Sequence, residues 1–536
     1  MFSPKLYTFN YWLLRIPKAA EIGVAVVLCA ALGVFLALSL YTWPSAADDL
    51  CLANYFEEYG VFGGLYGKYM LWSGGYSSIF LMGAMPQLGD LFGSYYLFYK
   101  ILPLTFVLLT VWASTALFRT ILPASISAAR CWLLGLGFTV LFLSSMPSVA
   151  TGFYWFSSAA KYQGGNLLII CQLLIFSRLV KSAAEPLRAR TKEFVVAATC
   201  IAFGVGFSET QMVVIYALVT LMCFWRMSVE DKDSRVKWVW LGLFILMNCF
   251  VAIYILAPGN SLRSEVEGLT VITPEIILDA IHASIIIGIE VIDEYLALPQ
   301  LWWFSALLVL MFLSAGSESY SAVTGSTDGE LEGRGTRSLH GGYIALGVLA
   351  CLLMPIALQF PSLLLLAVPP PLRIANVILF LCLLSWCVTL ALLVRWVLEK
   401  YSSRVGRILS TGISAEIVCA WASAGLLVGF ASHALASFNI QTAYSDLTEV
   451  APAYNHFMYD RYQELNVAKD SGNLFVVSQY PNPPQTIHSL DIVSPDSGLD
   501  FTLCFAEYFG VGIQVIDDTG VIGEYIENPF NSEVER

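Results

Sequence analysis

Hydrophobic and polar positions fall in long alternating blocks along this chain. Apolar runs near 20 residues, the length that crosses a hydrocarbon core, recur between short polar segments. The first spans Glu21 to Tyr41. Others are expected at Tyr95 to Arg119, Cys131 to Ala150, Gly165 past Ser177, Trp238 to Ala257, Trp302 to Ala315, Tyr343 to Leu358, a run ending at Arg395, and Ile413 to Leu435. Residues 194–225 form one apolar run of 32 residues interrupted by GFSET. As a single helix it would be about 48 Å long and would place the basic loop Arg226 to Lys237 outside. A hairpin of two half-length helices keeps the basic loops on both sides of it inside and puts Glu209 at the outer tip. Short helices of that kind need protein or water over their ends, so the tip is expected to line a cavity.

Counting the hairpin as two, the pattern predicts eleven membrane elements, with the N-terminus inside and the C-terminus outside. Under this threading 20 of the 28 Lys and Arg residues lie on the inner side, the asymmetry that orients membrane proteins. Residues 1–438 form the membrane domain. Within it, 43–90 make a long aromatic outer loop and 317–342 a Gly/Ser-rich cytoplasmic linker. Residues 264–299 are apolar but carry Asp279, Glu290, Asp293 and Glu294, so they are expected to be interfacial helices. Residues 439–536 form a small extracytoplasmic α/β segment, in which NLFVVSQ and GVGIQVID read as strands. The small-x-small pattern of Ser45 and Ala47 also suits a cleaved signal peptide, but the preceding run is long for such a segment.

Composition agrees with this class. Hydrophobic residues make up 57% of the chain and charged residues 13%, against about 25% charged in soluble domains. The net charge of −12 lies entirely in residues 440–536, which hold 15 acidic and 3 basic residues. No basic cluster interleaves with aromatics on a soluble surface, so nucleic acid is excluded as a partner. The twelve cysteines are scattered without a C-x-x-C pair and read as small core hydrophobes. Cys51 and Cys504 would share the outer side, where they are either disulfide-bonded or simply buried.

Candidate chemistry gathers at one boundary. Asp48 and Asp49 follow the first span, where a carboxylate at the rim of a low-dielectric slab can act as a general base or hold a cation. Trp72 and Tyr76 lie in the run YGKYMLWSGGYSS of the first outer loop. Trp155, Lys161 and Tyr162 lie in the outer turn TGFYWFSSAAKYQGGN. Glu209 lies in the helix break, Asn260 and Arg263 in APGNSLR, and Arg373 after the Pro-rich run QFPSLLLLAVPPPLR. Arg263 is a planar donor suited to phosphate. Carboxylates and cations at one lipid–water boundary describe a site for an anionic, lipid-linked substrate. A divalent metal on Asp48 and Asp49 is conceivable, though no further ligands cluster beside them.

In these motifs the chain resembles a bacterial branch of the GT-C superfamily of polyprenyl-phosphate-sugar-dependent glycosyltransferases. The likeness runs through the acid pair after the first span, W-x-G-x-Y (Trp72, Gly74, Tyr76), W-x-x-x-A-x-x-Y (Trp155 to Tyr162), Glu209, APGN-x-x-R (Ala257 to Arg263), the Pro-rich loop with Arg373, and Asp460-Arg461 followed by AEYFGV. Gly75 stands where the pattern usually has Arg. The resemblance implies a GT-C-like membrane fold and transfer of a sugar from a polyprenyl-phosphate donor to an envelope glycan or glycolipid acceptor, at the outer face of the cytoplasmic membrane. It implies a first-loop Asp as base or acceptor-orienting group. Arg263, Lys161 and Arg373 would then neutralise the leaving phosphate, and Trp72, Tyr76 and Trp155 would stack on sugar or line the lipid groove. Two other classes use parts of this pattern: a transporter or flippase that binds a lipid-linked sugar without chemistry, and an envelope sensor. No internal repeat of the transporter kind is present.

Overall fold

A computed structural model of the protein describes residues 4–46, 48–91, 95–182, 187–228, 235–266, 273–324, 341–409, 413–471, 475–478, 480–489, 501–511, 513–516 and 522–526. In chain order the helices are α1 (Pro4–Leu38), α2 (Asp48–Leu71), α3 (Tyr76–Leu91), α4 (Tyr95–Ile121), α5 (Ala128–Ser145), α6 (Phe156–Lys181), α7 (Leu187–Val205), α8 (Glu209–Ser228) and α9 (Arg235–Ile255). They continue as α10 (Pro258–Val266), α11 (Pro274–Leu296), α12 (Pro299–Thr324), α13 (Gly341–Leu366), α14 (Leu372–Leu409), α15 (Ile413–Leu435), α16 (Phe438–Ser445), α17 (Ala451–Ser471) and α18 (Phe501–Phe509).

Eight of these, α1, α4, α5, α6, α8, α9, α13 and α14, are long and apolar enough to cross a membrane. The end of α15 and the α16–α17 stretch form a further pair, bent by 58°. A helix closes all its interior backbone hydrogen bonds within itself, which is what a hydrocarbon environment demands. The chain is a helical, multi-pass membrane protein. The other elements expected to cross are α7, whose first turns are polar, and α12, whose apolar stretch Pro299–Phe312 is shorter. Most of the expected cytoplasmic linker lies outside the described residues, and residues 317–324 continue α12 as helix.

The core centres on α5, which is buried along nearly its whole length. Phe138 and Phe142 pack on Phe380 of α14, with ring centroids 5.8 and 5.0 Å apart. Phe304 of α12 bridges Phe118 of α4 and Phe430 of α15. Between helices in lipid the driving force is packing rather than dehydration, and such aromatic pairs contribute about 0.5–1.5 kcal/mol each.

The 32-residue run folds as the hairpin the charge pattern predicts. The chain turns at residues 206–208, and Gly204 of α7 packs on Ile215 of α8. The helices are not half-length, because both extend into the polar flanks to 19 and 20 residues, about 30 Å each at 1.5 Å per residue. The turn rests on the start of α3, where the Gly206 carbonyl accepts from the Ser77 and Ser78 amides at 3.0 and 3.3 Å. In the segment expected to hold interfacial helices, residues 274–296 form the single helix α11. Its buried positions Ala280, Ser284 and Gly288 recur every four residues, and α11 packs along α13 with Gly288 against Ile356. Small residues at that spacing bring two helix backbones close together.

The first outer loop doubles back on itself. Gly60, inside α2, has φ 68° and ψ 173°, a conformation essentially reserved for glycine. The second half of α2 reverses there and lies against the first, with Gly64 facing the Phe56 ring and Gly67 facing the Tyr55 hydroxyl.

At the C-terminus three strands form one sheet in the order β1-β2-β3: β1 (Phe475–Ser478), β2 (Ile513–Ile516) and β3 (Ile522–Ile526). The first pair is parallel, with Phe475 opposite Ile513, and the second is antiparallel. Both segments read as strands from the sequence contain one. The alternative left open for Cys51 and Cys504 resolves to a disulfide, which joins α2 to α18.

Candidate functional site

The two acidic neighbours at the start of α2 are about 100° apart around a helix, and the structure gives them opposite surroundings. Asp49 is 1% exposed. Its carboxylate accepts the Ser45 amide at 2.9 Å, the Ser157 amide at 3.0 Å and the Ser157 hydroxyl. It thereby pins the turn before α2 to the first turn of α6, where free amides and the helix dipole favour a carboxylate. Burial outweighs these bonds and pushes its pKa up to about 7, with the nearby Asp48 charge adding to the rise.

Asp48 is exposed, yet protein surrounds it closely enough that burial raises its pKa. Against that rise act Arg373, Lys161, Lys68 and Arg263, in decreasing order. One open carboxylate therefore faces four cations from four helices: α14, α6, α2 and α10. Each cation lies over an aromatic ring. Arg373 sits 5.3 Å from the Trp155 ring centroid, Arg263 5.3 Å from Trp72, Lys161 5.5 Å from Tyr162 and Lys68 4.4 Å from Tyr55. A ring face holds a cation without cancelling its charge. Lys68, Lys161 and Arg373 form no salt bridge with any described carboxylate.

Glu209 closes the far side, at the first residue of α8, with Lys161, Arg263 and the Tyr254 hydroxyl around it. The Tyr254 hydroxyl is hydrogen-bonded to the Glu209 carboxylate, while one buried donor beside these charges, the Trp155 indole N–H, finds no hydrogen-bond partner among the described residues. An orphaned buried donor costs about 1–3 kcal/mol, so the Trp155 indole is available to a ligand. Behind them a polar chain fixes the helices. Ser208 donates to Gln211 (2.7 Å), Gln211 to Asn166 (3.2 Å) and to the Tyr162 carbonyl, Asn166 to Gln163 (3.1 Å), and Gln163 to Thr110 (2.8 Å).

Asp48, Lys161, Glu209, Arg263 and Arg373 thus meet at one place, together with Trp72, Trp155 and Tyr162. The aromatic side chains have their own contacts within the protein. Trp72, Trp155 and Tyr162 seat cations, and Tyr76 belongs elsewhere: its hydroxyl donates to the Ala202 carbonyl of α7 and its ring packs near Phe250. Asn260 is a staple. It accepts the Gly74 amide at 3.0 Å and donates to the Tyr254 and Ile255 carbonyls at 2.7 and 3.2 Å. It joins the W-x-G and APGN motifs, which approach so closely that a side chain on Gly259 would strike the Trp72 backbone.

Lys68 and Tyr254 escaped the sequence reading. The signal for Lys68 was the glycine spacing at 60, 63, 64 and 67, which marks a helix folding back on itself. A divalent metal does not fit the acid pair: Asp49 spends its oxygens on three donors, and four cations surround Asp48. Among the described residues no three His, Cys, Asp or Glu side chains cluster as ligands elsewhere. Comparison with family models, with curated proteins and with solved structures finds no match to this chain.

Proposed function

We propose that the protein is an integral membrane glycosyltransferase of GT-C type, moving a sugar from a polyprenyl-phosphate donor to an envelope glycan or glycolipid at the extracytoplasmic face. The reading rests on one observation, four ring-seated cations around a single open carboxylate. Counted with Asp48 and Glu209, they leave a surplus of two positive charges. A sugar phosphodiester carries one negative charge, and the phosphate it releases carries close to two at neutral pH. The site's attraction therefore grows as the glycosyl bond breaks, which is how electrostatic stabilisation accelerates a reaction.

In the step itself the acceptor hydroxyl oxygen bonds to the anomeric carbon. The carbon–phosphate-oxygen bond breaks, its electron pair leaves on the phosphate, and the hydroxyl proton passes to Asp48. Burial makes Asp48 a stronger base than an ordinary carboxylate. Trp155 offers its indole N–H to sugar or phosphate oxygens. The chain would lie in the cytoplasmic membrane with its N-terminus inside and its C-terminal segment outside.

Asp48→Asn keeps the shape and removes the base. Transfer by the purified variant should fall by about 10² or more, with donor-lipid affinity retained, because the carboxylate repels phosphate. Transfer at the parent rate would remove Asp48 as base and favour the transporter reading.

A further inference from the structure

The stretch that presents Asp48 is held from both sides by the C-terminal segment, 400 residues and more away in sequence. Before the acid pair, Trp43 donates its indole N–H to Asn455 of α17 at 3.0 Å and stacks on Tyr462 of the same helix, centroids 4.9 Å apart. Lys100 of α4 donates to the same Asn455 oxygen at 3.2 Å and lies 4.9 Å from the Trp43 ring centroid. After the pair, Cys51 is bonded to Cys504 of α18, and Asn54 donates to the Cys504 carbonyl at 3.0 Å. The two grips are one body, since Tyr462 packs on Phe505 and Phe509 of α18 at 6.4 and 5.3 Å. Arg461 ties α17 to β1 through the Ser478 carbonyl. A closed ring of contacts thus runs from Trp43 through α17 and α18 to Cys51, and Asp48 lies on the short arc between.

We propose that the C-terminal segment is a positioning element for Asp48, and that the Cys51–Cys504 disulfide makes this grip depend on redox state. The proposal rests on the reading of Asp48 as the base. Asp49 fixes the loop from the membrane side through Ser45 and Ser157, but three residues on from Asp48 the first turn of α2 has its covalent anchor at Cys51. Reduction breaks the sulfur–sulfur bond: a phosphine supplies two electrons and takes an oxygen from water, and the two sulfurs leave as thiols. The first turn of α2 then loses its covalent anchor, and the Asn54 hydrogen bond and the packing of α18 on α2 remain on that side. A misplacement of about 1 Å can cost a catalytic group up to about 10²-fold in rate. Lys161, Arg263 and Arg373 are carried by α6, α10 and α14, outside the first turn of α2, so donor binding changes less than turnover.

The test uses the full-length protein in detergent or nanodiscs, oxidised and after phosphine reduction, with cleavage verified by mass, beside Cys504→Ser. Sugar transfer, affinity for a polyprenyl phosphate and backbone hydrogen exchange over residues 48–56 are measured on the same samples. The expected result is a fall in kcat of about tenfold or more, donor affinity within twofold, faster exchange at 48–56, and recovery on reoxidation. Cys504→Ser should start at the reduced level and ignore the phosphine. Unchanged exchange and unchanged kcat in verified reduced protein would overturn the clamp. A parent that transfers no sugar, yet whose exchange at 48–56 rises on reduction, would sink the enzyme reading and leave the clamp standing. Should Cys504→Ser fail to fold, reduction of the folded parent decides alone.

Discussion

Asp49→Asn tests the division of labour between the two acidic neighbours through stability rather than activity. In the folded protein the Asp49 pKa is near 7, against 3.8 for an ordinary Asp. A folded pKa above the unfolded one means that the folded state holds a proton the unfolded chain has released. The stability this group supports is therefore greatest below about pH 4 and is lost as pH rises through 7. A gap of about 3 units at 1.36 kcal/mol per unit gives a loss of about 4 kcal/mol across that window. Asn cannot ionise and lacks the slope. Its amide turns an N–H toward one of the three donors, a mismatch of about 1–2 kcal/mol. Parent and variant should be close in stability at pH 4–5, and the variant should be the more stable by about 2–3 kcal/mol at pH 8. The assay is a series of thermal melts of both proteins in one detergent from pH 4 to 8. A variant-minus-parent difference that stays flat or falls with rising pH would refute the argument.

Gly60→Ala should cost about 1–3 kcal/mol at this backbone conformation and displace Lys68, weakening polyprenyl-phosphate binding; parent-like melting and binding would contradict the reversal. Arg263→Lys keeps the charge and loses the planar fork and its seat on Trp72, so donor-lipid affinity should drop; unchanged binding in both Arg263→Lys and Arg263→Ala would remove it from the site. Asn260→Ala orphans the Gly74 amide and two carbonyls, costing about 1–3 kcal/mol with a lowered melting temperature as the readout. Reporter fusions at Gly325 and Asn531 should report opposite sides of the membrane, and matching sidedness would break the proposed threading.

Much of the site could be read from charge alone. Asp48, Lys161, Glu209, Arg263 and Arg373 each interrupt or end an apolar run, and a charge in that position needs a reason. Hydropathy carries no information about which of two consecutive residues faces inward, so Asp48 and Asp49 stayed equivalent until Ser45 and Ser157 were seen bonding only the second. Lys68 was hidden because its approach to Asp48 depends on one backbone angle at Gly60. Trp72 and Trp155 lie at the site with a guanidinium over each ring, a contact hydropathy could not specify because an aromatic next to a membrane boundary suits sugar, lipid and guanidinium alike. In α11 the charges of Asp279, Glu290, Asp293 and Glu294 argued for the interface. Those charges also keep α11 out of the eight helices apolar enough to cross, while the four-residue spacing of Ala280, Ser284 and Gly288 marks the face that packs along α13.

The joining of Cys51 to Cys504 also sets an order of events during synthesis. The two half-cystines are 453 positions apart, and among the described residues every helix long and apolar enough to cross the membrane starts before the second. The bond cannot close until residue 504 has been made and delivered to the same side as residue 51. A chain stalled or truncated anywhere in between carries its acid pair on a turn without its disulfide anchor. A segment made long after the acid pair thus completes the anchoring of its turn, and delivery of residue 504 becomes a condition for a fully assembled centre.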